Sequence, residues 1–133
     1  MKQRRFYYRI TAGIRITVRP EFLRQQSKPS VGQWIFSYAV RIENVGTVAV
    51  QLLSRHWEIH DSIGEVMVID GDGVVGLQPR LDPGEIHEYQ SYCILRSSAG
   101  HMDGYYTFVR ADGSEVKAFI PRFFLDTEEA MEL

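Results

Sequence analysis

Phe36-Ser37-Tyr38-Ala39-Val40-Arg41-Ile42-Glu43 decides the fold. Phe36, Tyr38, Val40 and Ile42 alternate with small or charged residues. A β-strand turns successive side chains to opposite faces, so such a run buries one face and solvates the other. Upstream, Ile14, Ile16 and Val18 alternate with Arg15, Thr17 and Arg19 in the same way. Downstream, Leu53, Arg55, Trp57 and Ile59 read as one face of a further strand. Leu52, Ser54, His56, Glu58 and His60 read as the other. Strands are also expected over 65–70, 86–96, 104–110 and 115–121. Single turns of helix are expected over 20–26 and 126–132.

Turn formers separate these runs: Asn44-Val45-Gly46, Asp61-Ser62-Ile63-Gly64, Asp70-Gly71-Asp72-Gly73, Asp82-Pro83-Gly84 and Asp112-Gly113. Asp-Gly between two alternating runs is a strong hairpin signal. Val and Ile total 23 against 15 for Ala and Leu, and Tyr and Phe add 14, a composition suited to strands. Short strands with regularly spaced turns predict an all-β fold, an antiparallel β-sandwich of the immunoglobulin or fibronectin type III kind. The 133 residues fit a single domain, 1–133, with its core over about residues 10–126 and frayed ends.

Charge and hydropathy narrow the function classes. Fifteen basic and 17 acidic side chains leave a formal net charge of −2, which argues against a nucleic-acid binder. No apolar run reaches the roughly 20 residues of a membrane helix, so membrane insertion is not expected. The basic start, Lys2 to Arg9, has no apolar segment after it, and Cys93 stands alone. A cytoplasmic protein is the expectation.

Gly71-Asp72-Gly73-Val74-Val75-Gly76 matches G-x-G-x-x-G after a strand. In a dinucleotide fold the third glycine opens a helix whose N–H groups hold a pyrophosphate. Here Leu77-Gln78-Pro79 follows, and proline breaks a helix in its first turns, so that reading fails. Two readings remain. One is a glycine-rich connection that crosses between the two sheets. The other is a nest of backbone N–H groups holding a pyrophosphate-like anion, with a divalent cation offsetting Asp70 and Asp72. The candidate ligand-binding set is Gly71, Asp72, Gly73, Gly76 and Gln78, beside Arg55 and Trp57.

No catalytic residues are assigned. There is no nucleophile elbow, and Cys93, in the alternating run Tyr89–Leu95, reads as a buried, inert thiol. The metal ligands remain unassigned. His56 and His60 stand about 13 Å apart along a strand and cannot share an ion directly, although either could pair with Glu58. Asp61, Asp70, Asp72 and Asp103 are candidates for weak Mg²⁺ binding, or plain turn formers. Met102-Asp103-Gly104-Tyr105-Tyr106-Thr107-Phe108 is aromatic on both faces. It is either buried on both or an aromatic patch for a protein partner, which could also add to an edge strand.

Five blocks in order carry a resemblance. Val50-Gln51-Leu52-Leu53-Ser54-Arg55-His56-Trp57 resembles the VQLLxRxW block of the ApaG family, and Gly71 to Pro79 resembles its GxGVVGxQP block. Leu81-Asp82-Pro83-Gly84-Glu85 resembles its next turn, which Tyr89-Gln90-Ser91 follows. Met102 to Tyr106 and Ile120-Pro121-Arg122-Phe123-Phe124-Leu125 resemble its closing blocks. The match runs from about Ile14 to Leu125. The resemblance implies a fibronectin type III-like sandwich in a bacterial protein linked to Co²⁺ resistance and Mg²⁺ efflux. It supplies no settled catalytic residues and no resident cofactor beyond weak Mg²⁺ or Co²⁺ binding. The function expected is that of a non-enzymatic accessory module in divalent-cation homeostasis. The alternatives are a protein-interaction domain, or a phosphate or nucleotide enzyme using Gly71–Gly76.

Overall fold

A computed structural model describes residues 5–127. Its strands are β1 (Tyr7–Thr11), β2 (Ile14–Phe22), β3 (Trp34–Asn44), β4 (Val50–Asp61), β5 (Val66–Asp72), β6 (Arg80–Leu81), β7 (Ile86–Leu95), β8 (Ala99–Arg110) and β9 (Glu115–Asp126). They form two antiparallel sheets. The first has the order β1-β2-β3-β7; the second has the order β5-β4-β8-β9, with β6 also pairing β4. The chain is an antiparallel β-sandwich.

The alternation around Phe36 holds to the residue. Phe36, Tyr38, Val40 and Ile42 are buried, and opposite them Ile14, Ile16 and Val18 of β2 are fully buried. Side chains of this size stabilise by about 1.5–3 kcal/mol each when fully buried. The second sheet answers with Leu52, Trp57, Met102, Tyr106, Phe108, Ile120 and Phe123. Buried Asn44 locks one end of the sandwich. Its Nδ2 donates to the carbonyls of Val48 (2.8 Å) and Leu81 (3.0 Å), and its Oδ1 accepts from Gly46 N–H.

Four expectations are corrected. The expected frayed start contains a strand, β1, joined to β2 by Ala12-Gly13, both at positive φ as a tight hairpin requires. What holds β1 is far away in sequence: Tyr7 packs on Phe123 and Phe124, and Arg9 lies over the Phe119 ring. The helical turn expected over 20–26 is strand up to Phe22. A single helix-like turn then closes from Ser27 N–H to the Leu23 carbonyl. Pro20 fits β2 because β1 begins at Tyr7, opposite Val18, so among the described residues no strand pairs with Pro20 on β2's side away from β3. The expected faces of β4 also change. A bulge between Leu52 and Ser54 adds a residue, so Leu52 joins the core and Leu53 does not. The strand from Met102 to Phe108 is buried on one face only, with Tyr105 half-buried on the other. The turn expected over 126–132 lies mostly outside the described residues.

The two flanks of the sandwich differ. On one, β1 and β2 pack against β9 and close it. On the other, the edge strands β5 and β7 stand apart. Val66, Met67, Val68 and Ile69 of β5 are 54%, 57%, 54% and 37% exposed, beside the exposed Ile94 of β7. A groove lined by Ile59, Met67, Ile94 and Leu95 runs between the two strands.

Candidate functional site

The β4 bulge organises the glycine-rich segment. Leu53, the extra residue, has no ladder partner on β8. Its carbonyl instead accepts from Gly73 N–H (2.8 Å) and from Gln78 Nε2 (2.9 Å). Arg55, two residues on, donates from Nη1 to the carbonyls of Asp72 and Gly73, both at 2.9 Å. Gly71 permits this, because a Cβ there would lie 2.8 Å from the Arg55 guanidinium. Gly73 has φ +63°, and a Cβ on it would meet the Leu77 carbonyl oxygen at 2.3 Å, so only glycine fits. Val74 and Leu77 exchange both backbone hydrogen bonds around Val75 and Gly76, each at positive φ, forming a tight two-residue hairpin.

The structure therefore brings Arg55, Gly71, Asp72, Gly73 and Gln78 together, with Gly76 at the hairpin tip. Trp57 stands apart. Its ring is 2% exposed and packs on Tyr38, Tyr106 and Phe123, so it offers the loop no surface. The N–H groups of Gly73, Val74 and Leu77 donate to carbonyls of Leu53, Leu77 and Val74. The segment caps the bulge and carries the chain from β5 to β6, which both pair β4. The expected crossing between sheets is corrected, because the hairpin returns the chain to the same sheet.

Beneath this segment lies a polar cluster in the core. The hydroxyls of Tyr89 and Tyr106 hydrogen-bond each other. Burial pushes both phenols well up from their usual range, so both stay protonated. The Arg55 charge acts on both in the opposite sense. The sequence named both tyrosines but gave no sign of their pairing, because β7 and β8 meet across the core and not along the chain. Cys93 is buried, and burial pushes its thiol up to about 12, so it is no nucleophile at neutral pH.

The outer face of the second sheet carries ionisable rows. In β4 His56, Glu58 and His60 point outward, opposite Tyr105, Asp103 and His101 of β8. His56 Nδ1 lies 2.6 Å from Asp70 Oδ1, and its Nε2 lies 3.1 Å from Glu58 Oε2. The bonds to Asp70 and then Glu58 raise the His56 pKa. His60 and His101 stack, with ring centroids 4.4 Å apart and planes 13° apart. Burial, then the neighbouring His60, lower the His101 pKa. Of the four aspartates read as cation candidates, Asp61 accepts from the Arg96 N–H and the Ser97 hydroxyl, Asp70 holds His56, and Asp103 holds Arg122. Asp72 contributes its carbonyl to Arg55.

A two-layer antiparallel sandwich whose edge loop caps a bulge through Arg55, Gly73 and Gln78 defines the class. An ApaG-domain family model matches residues 24–110, and the chain belongs to the ApaG family. It is 47% identical over 121 residues to protein ApaG of Rhodospirillum centenum, covering 91% of this chain and 93% of that one. It is 43% identical over 118 residues to protein ApaG of Xanthomonas campestris pv. campestris, covering 89% and 93%. The crystal structure of the putative ApaA protein from Bordetella pertussis superposes with a TM-score of 0.82 at 41% identity, covering 90% of this chain and 94% of that one. No helix among the described residues is long and apolar enough to cross a membrane.

Proposed function

We propose that this protein is a non-enzymatic, cytoplasmic accessory module in divalent-cation homeostasis, and that it acts by holding a protein partner along β5. The cation role rests on family membership. The docking surface rests on one observation: β5 ends its sheet with four consecutive exposed apolar residues, Val66 to Ile69, and no charge among them. Edge strands of soluble proteins are normally blunted by charge, proline or a covering element. An uncovered apolar edge is the template for β-strand addition, in which main-chain bonds supply affinity and alternate side chains supply specificity.

The partner is an extended segment of another protein, apolar where it meets Val66–Ile69 and basic where it meets the exposed Asp70 and Asp72. A second copy fits less well. Antiparallel pairing of two β5 strands over Val66–Ile69 would set Glu65 of each beside Asp70 or Asp72 of the other. Like charges so placed destabilise a strand pair.

Photo-crosslinking from position 68 in the host tests the surface, with position 117 on β9 as control. The proposal expects one defined adduct from 68, absent from 117 and lost when Met67→Asp is added. A crosslink only between copies of this chain would replace the partner with a dimer. Equal adducts from both positions would remove the surface.

A further inference from the structure

A second feature, independent of β5 docking, lies on the outer face of the second sheet. His60 and His101 are direct cross-strand partners. Asp103 follows on the same face of β8, two residues along. One ligand atom from each of His60, His101 and Asp103 lies within 4.8 Å of the others, and all three side chains are half-buried. Among the described residues these three form the group with metal-ligand geometry. We infer that His60, His101 and Asp103 form a binding site for a divalent transition ion of the Zn²⁺ class.

The donor set is two imidazole nitrogens and one carboxylate oxygen, which suits Zn²⁺, Co²⁺ or Ni²⁺, whereas Mg²⁺ takes oxygens and keeps its waters. The spacing is close: ligand atoms about 2.0–2.1 Å from a tetrahedral zinc lie about 3.3 Å from one another. To close from 4.8 Å onto one ion, the two imidazoles must turn out of their stack by χ rotation so that their nitrogens converge. The surroundings also fit. Arg122 Nε donates to Asp103 Oδ2 at 3.0 Å, orienting the carboxylate and leaving Oδ1 for the ion. Glu58 Oε1 lies 3.7 Å from His60 Nε2 and offsets the Arg122 charge. Phe124 packs against His101 with ring centroids 5.9 Å apart, shielding one side of the site. Three protein ligands on an open sheet face leave further coordination positions to water or to a fourth group.

The sequence hid this site because His60 and His101 are 41 positions apart, and only the β4–β8 register joins them. His56 and His60, the two histidines of β4, cannot share an ion, and His56 is held by Asp70 and Glu58.

The test is calorimetric titration of Zn²⁺ into the metal-free full chain, with amide NMR spectra recorded alongside. Co²⁺ follows as a paramagnetic and visible-absorption probe. The expected result is one saturable site. Co²⁺ should bleach amides around His60, His101 and Asp103, Mg²⁺ should not compete, and a chelator should restore the spectrum. His101→Gln and Asp103→Asn, both conservative on a sheet surface, should each weaken Zn²⁺ binding about tenfold or more with the rest of the spectrum unchanged. His56→Gln is the control, expected to change affinity less than about twofold, since it supplies no ligand. The inference is overturned if Zn²⁺ binds no saturable site, if His101→Gln and Asp103→Asn bind like the parent, or if His56→Gln alone abolishes binding.

Discussion

The two flanks of this sandwich solve the same problem differently. Where β1 and β2 meet β9, Tyr7 covers Phe123 and Phe124, Arg9 covers Phe119, and Thr11 Oγ1 accepts from Phe119 N–H at 3.4 Å. Where β5 faces β7, the flank is linked by polar contacts at the strand ends: Asp61 accepts from Arg96 N–H at 2.6 Å, and Glu65 pairs with Arg96 at 2.9 Å in an exposed ion pair. An exposed pair of this kind contributes 0–1 kcal/mol at most, roughly. The closed flank is held by burial, and the open flank leaves the apolar side chains Val66 to Ile69 exposed. A fold can therefore hold one edge by burial and keep the opposite one available without weakening its centre.

Mutations should separate the flanks. Phe123 is fully buried against Tyr7, Tyr38 and Trp57. Phe123→Ala should cost about 3–5 kcal/mol in a urea melt, the range for a large aromatic removed from a core. If the closed flank tolerates it for under about 1 kcal/mol, the contrast fails.

On the open side the glycine-rich connection is structural in this account. Gly73→Ala strains φ +63° and drives a methyl into the Leu77 carbonyl. It should cost about 2–3 kcal/mol and release β5 from β4, seen as faster amide exchange over Val66–Asp72. Val75 makes the opposite case. A β-branched residue at φ +47° is unfavourable, and Asn-Gly is the preferred pair for such a turn. Val75→Asn should therefore stabilise by about 1 kcal/mol, raising the melting temperature by a few degrees.

Val68 is exposed, so Val68→Lys should shift stability by less than about 0.5 kcal/mol. It should nevertheless abolish the adduct seen from neighbouring positions on β5. The smallest effect concerns His56, which ties β5 to β4 through Asp70. Its folded pKa lies above its unfolded value. The stability it adds is therefore complete below the unfolded pKa, near 6.5, and is lost as pH rises through the folded value. The melting difference between the parent and His56→Gln should shrink across that window as pH increases. A difference that grows with pH would reverse the assignment.

Much of this was legible in the sequence. The alternation from Phe36 to Ile42 is a local signal and put the right side chains in the core. The buried Cys93 followed from the same rule. The rest depended on where strands sit. The β4 bulge put Leu52 on the core face in place of Leu53, while from Ser54 onward the expected faces hold, and no local pattern announces a bulge. Trp57 resembled a site residue by its block of sequence, yet its place is set by Tyr38, Tyr106 and Phe123 from three other strands. Val66–Ile69 read as a strand but gave no sign of being an edge, because strand order is a property of the whole sheet. β1 was hidden because the aromatic residues that hold it lie more than 100 positions away.

The most direct test of the central claim is rescue of cation tolerance. A strain lacking this gene is challenged with Co²⁺ and with Mg²⁺ limitation, then given the parent or a Met67→Asp, Val68→Lys variant of confirmed fold. The account predicts that the parent restores growth and the β5 variant does not. Equal rescue by both, or no phenotype on deletion, would contradict it.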